Sequence, residues 1–138
     1  MRKLKFDIKL DIEIPDHTQE LNTVEKSINE IKKCLNNVRK RRLMNDEIHT
    51  SLYERTALLL FYVGKLSESV FKLEDEVERK AFSLFSKTPE LAKKAFDDYY
   101  YKLHYRYDLL KNRCFKIFED LDKEYIKKYK KYPPNWKI

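Results

Sequence analysis

The sequence has one glycine, Gly64, in 138 residues. A phosphate-cradling loop or a dinucleotide fingerprint needs two or three glycines so that backbone can approach a pyrophosphate, and a serine nucleophile elbow needs them around its strained turn. All three are excluded. Cysteine is nearly as scarce. Cys34 and Cys114 lie far apart inside helical patterns and read as buried free thiols, with no Cys-x-x-Cys and no zinc-ligand spacing. Long apolar runs are missing too: the longest, Ala57–Val63, falls far short of the ~18 residues of a membrane span. The first residues alternate charge with apolar side chains, unlike a secretory leader. The expectation is a non-membrane, cytoplasmic (intracellular) protein with no cofactor.

Charge is abundant, at 38% of residues with a net +7. Nearly all the excess sits in residues 87–138, which carry 14 basic and 8 acidic side chains. Its last stretch, from Tyr125, has five lysines and no carboxylate side chain. A second cluster is Arg39-Lys40-Arg41-Arg42.

From Arg2 to Ile14 the chain alternates without a fault. Leu4, Phe6, Ile8, Leu10, Ile12 and Ile14 fall on one face, and charged residues fall on the other. Period two predicts a strand with one buried face, ended by Pro15. No later segment reads as its partner, and unpaired backbone groups are costly to bury. Antiparallel pairing with a second copy, centred on Ile8, sets Lys3 against Glu13, Lys5 against Asp11 and Asp7 against Lys9. The expectation is a homodimer with those six apolar residues at its interface.

Three helices follow. Leu21, Val24, Ile28, Ile31, Leu35 and Val38 recur at spacings of 3 and 4, a narrow seam on a helix over 16–44. Asn45 caps a second, over 46–86, whose fully apolar turn at Ala57–Val63 should be buried from more than one direction, with Gly64 allowing close packing or a kink. Thr88-Pro89-Glu90 starts a third, over 89–131, before a basic aromatic tail at 132–138. The predicted class is mainly α: a single domain, a three-helix bundle with two long antiparallel helices of ~60 Å, plus the intermolecular strand.

Residues 96–138 hold twelve of the nineteen aromatics. Lysines neutralise phosphates and aromatic faces stack on unpaired bases, a pairing suited to single-stranded nucleic acid. The candidate site is Lys127, Lys128, Tyr129, Lys130, Lys131, Tyr132, Trp136 and Lys137, with Arg39, Lys40, Arg41 and Arg42 as a second phosphate surface. The competing reading gives tyrosines to core edges, gives lysines to a helix C-terminus, and makes the chain a structural or adaptor protein, such as a viral or mobile-element accessory factor or inhibitor, acting on a protein partner.

Arg42 and His49, spaced Arg-x6-His, resemble the Arg-x4–6-His signature of HEPN-type ribonucleases, which are all-helical, often dimeric and metal-independent. The resemblance covers two residues, with Leu43 where that family usually has a polar residue; on it, Arg42 and His49 would be the catalytic pair. The plainer reading of His49 is a first-turn surface histidine, and the expectation is that the chain is not an enzyme. Asp46 and His49, three apart, form half of a carboxylate–histidine metal motif; the other half is missing, so no metal is expected.

Overall fold

The computed structural model describes residues 4–6 and 8–133, and Arg2, Lys3, Asp7, Trp136 and Lys137, named above, lie outside them. The chain is mainly helical, with α1 (Thr18–Arg41), α2 (Asp46–Phe71), α3 (Glu74–Leu84) and α4 (Pro89–Tyr129). Among the described residues no helix is long and apolar enough to cross a membrane.

The α1 seam lies as its spacing requires, with all six residues from Leu21 to Val38 buried. The Asp16 carboxylate accepts from the Thr18 N–H at 2.9 Å, and Asn45 caps α2 by accepting from the Ile48 N–H at 2.8 Å. Pro89 opens α4, although the Thr88 hydroxyl makes no capping bond.

The helix expected over 46–86 is interrupted. The Leu73 N–H bonds to the Val70 carbonyl at 3.0 Å, one residue short of the α-helical partner. Both Lys72 and Leu73 keep right-handed helical dihedrals, so the turn tightens without reversing. Val70, Val77 and Ala81 are all fully buried, and the apolar stripe crosses the break intact. The interruption is at 72–73 and not at Gly64. A Cβ at Gly64 would meet nothing within 4 Å, which corrects the expectation of close packing there. Gly64→Ala should therefore raise stability by about 0.5–1 kcal/mol, read as a higher midpoint in urea at unchanged slope.

α4 carries the bundle. It lies antiparallel to α2 and α3, as Tyr53 against Phe118, Phe71 against His104 and Phe82 against Phe96 show. It lies parallel to α1. Arg106 donates to Asn22 and, at 3.0 Å, to Glu25; seven residues on, Arg113 donates to Asn29 and reaches Glu25 at 3.8 Å. The equal seven-residue steps keep one face of each helix in register, as in a left-handed coiled coil. Of the adjacent tyrosines 99–101, Tyr99 is buried while Tyr100 and Tyr101 face outward. Cys114 is fully buried, and burial pushes its thiol up to about 11; Cys34 is half-buried, and both are free.

The first segment differs most from its prediction. Its alternation holds: Leu10 and Ile14 are buried, and Leu4, Phe6, Ile8 and Ile12 pack against the same core, while Lys5, Lys9, Asp11 and Glu13 face outward. Yet the described residues form no strand. The backbone reverses at Asp11, whose φ is 53°, and the Leu4 N–H donates to the Ile14 carbonyl at 3.0 Å. Side chains satisfy three further backbone groups. The Leu10 N–H donates to the Tyr99 hydroxyl at 3.1 Å, Lys80 donates to the Asp11 carbonyl and Lys102 to the Lys5 carbonyl, both at 2.8 Å. Phe6 stacks on Tyr99 with centroids 3.6 Å apart, and the Lys102 ammonium lies over the Phe6 ring, 4.6 Å from its centroid. The six apolar residues assigned to a dimer interface thus cover their own chain's core, and no intermolecular strand is needed to bury them.

Candidate nucleic-acid interface

Two helix ends meet at one corner of the bundle. α1 stops at Arg41, and Arg42 turns the chain with φ 53° while the Leu43 N–H returns to the Val38 carbonyl at 3.0 Å. α4 stops at Tyr129, and Lys130 takes the same left-handed form at φ 59°. Glycine is the residue that adopts this conformation without strain, and each of these positions carries a cation at a cost of roughly 1 kcal/mol.

Because α1 and α4 run parallel, their last turns lie side by side. Between them is a cleft of about 290 Å³, floored by Val38 and Met44 and rimmed by Arg39, Arg42, Lys127, Lys128 and Glu124. Members of the two basic clusters, more than 80 residues apart in sequence, share it. The cations are not equivalent. Arg39 donates through Nε to Glu124 at 2.9 Å. Lys128 donates to the carbonyls of Met44 at 2.6 Å and Arg42 at 3.2 Å, closing the α1–α2 connection. Tyr129 donates to the same Met44 carbonyl at 3.0 Å, with its ring against Tyr125 and a third of its surface exposed. Lys128 and Tyr129, expected to meet phosphates and bases, thus make bonds that hold the corner together, on carbonyls that no helix ladder satisfies. The Arg42 guanidinium and the Lys127 ammonium have no polar partner among the described residues. Lys40, Arg41, Lys130, Lys131 and Tyr132 are exposed around the corner.

Glu124 was not among the expected site residues. It is the last acidic residue before the carboxylate-free stretch, and that position was the available signal.

His49 corrects its expected surface position. It is fully buried in the first turn of α2, where its Nε2 lies 2.9 Å from Asp122 Oδ1, and its Nδ1 is buried without a partner among the described residues. The rings of Tyr53 and Tyr125 enclose it, at 5.8 and 5.4 Å. Tyr125 donates to Asp46, and that bond with burial pushes its phenol up to about 12, so the hydroxyl stays protonated. Asp46, His49, Asp122 and Tyr125 therefore pin the start of α2 to the end of α4. His49 does not line the cleft that Arg42 lines.

A second cleft of about 240 Å³ lies at the other end of α1, between the first segment, the start of that helix and the stacked Tyr101–Tyr105 pair of mid-α4. Two of its three Lys and Arg side chains are paired within the chain, Lys102 with Asp98 and the Lys5 carbonyl and Arg106 with Asn22 and Glu25, while Lys5 lies exposed at its edge.

No family model matches the chain, and no curated protein or solved structure shows detectable similarity to it.

Proposed function

We propose that the chain binds nucleic acid, without catalysis, through the basic corner where α1 and α4 end, and that the preferred form is single-stranded. One observation carries this reading: two cation clusters remote in sequence rim a single cleft, and among the described residues the Arg42 and Lys127 charges have no polar partner. Phosphates would be held by Arg39, Arg42 and Lys127, with Lys40, Arg41, Lys130 and Lys131 extending the field. The exposed faces of Tyr129 and Tyr132 offer stacking to unpaired bases beside it.

Fluorescence anisotropy with labelled single-stranded DNA, single-stranded RNA and a DNA duplex, each at low and at physiological salt, tests it. Binding to single strands should weaken steeply with salt and exceed duplex binding. Absence of binding at low salt, or binding indifferent to salt, overturns it.

An adaptor role has its own observation, the outward-facing Leu58, Phe61 and Tyr62 of α2. Under that reading oligonucleotide binding is absent, and the apolar side chains serve a protein contact.

A further inference from the structure

The apolar turn Ala57–Val63, expected to be buried from several directions, is covered on one side only. Leu58 is 70% exposed and Phe61 65%, on the side of α2 facing away from the bundle. They belong to a longer pattern. Positions 47, 51, 54, 58, 61, 65, 68 and 72 are all exposed and follow one another at spacings of 4 and 3, the period of a coiled-coil seam. α2 thus carries two seams, one in the core and one in solvent.

The outer seam is self-complementary about a point between Leu59 and Leu60. Reversed onto itself there, it places Leu58 against Phe61 of a second copy, Glu54 against Lys65 and Glu47 against Lys72; the remaining layer sets Ser51 against Glu68. By symmetry each ion pair occurs twice, and the apolar layers fall at the centre with the charged ones outside. A parallel, in-register pairing would instead oppose Glu54 to Glu54 and Lys65 to Lys65, which charge repulsion disfavours.

We propose that this outer face of α2 is an isologous dimer interface whose occupant is a second copy of the chain, packed antiparallel about a two-fold axis between Leu59 and Leu60. Charge complementarity selects that occupant: a generic apolar or acidic partner would need neither the dyad nor the change of sign across it, from Glu47 and Glu54 to Lys65 and Lys72. Lys65, which in the single chain lies over the Phe61 ring at 5.2 Å, swings to Glu54 of the other copy. The two basic corners then lie at opposite ends of the α2 pair, about 40 Å apart at 1.5 Å per residue. The interface stands whether or not those corners bind nucleic acid.

Sedimentation equilibrium of the full chain at ~1 and ~100 µM, where association follows mass action, tests it. The mass should rise with concentration to twice the 16.9 kDa of the chain. Leu58→Glu should hold the protein at the monomer mass, with helicity by circular dichroism unchanged because the site is exposed. Glu54→Lys should weaken association about tenfold or more, and adding Lys65→Glu should restore it to within roughly threefold, because the pairs are regained with signs exchanged. A wild-type chain that stays monomeric at the higher concentration overturns the proposal. So does a dimer indifferent to Leu58→Glu, or one that the second charge exchange fails to restore.

Discussion

Tyr99→Ala lowers the stability of the chain by about 3–5 kcal/mol and its Tm by roughly 10–20 °C. The ring is buried, stacks on Phe6, and through its hydroxyl accepts the Leu10 N–H. Removing it opens a cavity under the first segment and takes away a backbone partner at once. Tyr99→Phe separates the two contributions. It keeps the ring and leaves the buried Leu10 N–H unsatisfied, at about 1–3 kcal/mol. Thermal unfolding followed by circular dichroism reads both. If Tyr99→Ala costs no more than Tyr99→Phe, the ring is not what fixes the segment to α4.

That segment shows where sequence reasoning reaches and where it stops. The alternation from Leu4 to Ile14 identifies correctly which side chains turn inward, because a period of two is a statement about side-chain direction. It does not say who satisfies the backbone. A strand partner is the economical answer, yet a tyrosine hydroxyl, two lysines and a reversal at Asp11 supply partners for part of it. These partners lie 69 to 97 residues away, beyond any local pattern.

The helices were legible because α1 has a narrow apolar stripe and α2 and α4 have marked N-terminal ends. The Asn45 cap and Pro89 fall where expected. The break at Lys72–Leu73 was not, since neither residue breaks helices and the stripe runs through it unshifted. The same blindness affected His49. A lone histidine in a first turn looks exposed, and only Asp122 on the antiparallel α4, with two tyrosine rings, gives it a buried place. Candidate site residues were legible as two clusters. Their meeting was not, because it depends on α1 and α4 running parallel, which no single-helix pattern encodes.

Neutralising the corner should cost more than any other set of surface changes, and the choice of substitutions follows from the local backbone. At Arg42, with φ 53°, alanine would be strained, so Arg42→Gly removes the charge while relieving the conformation. Lys128 is left alone because its bonds to the Arg42 and Met44 carbonyls hold the α1–α2 connection. The triple variant Arg39→Gln, Arg42→Gly, Lys127→Gln should keep its Tm within a few degrees. It should weaken single-strand binding by roughly 10- to 100-fold at ~0.1 M salt, and reduce the slope of log affinity against log salt by about 2, near 0.7 per lost phosphate contact. Glu124→Gln should act in the opposite direction. It removes a negative charge from the cleft and frees Arg39 from its ion pair, a partly exposed contact of small net worth to stability. Affinity should then rise about threefold, with a steeper salt slope. Anisotropy titrations at three or more salt concentrations measure all of these quantities. Opposite signs for the two variants require an anion seated between Arg39, Arg42 and Lys127. Equal losses, or no change in either, mean that the lysines and arginines at this corner serve only the helix ends they cap.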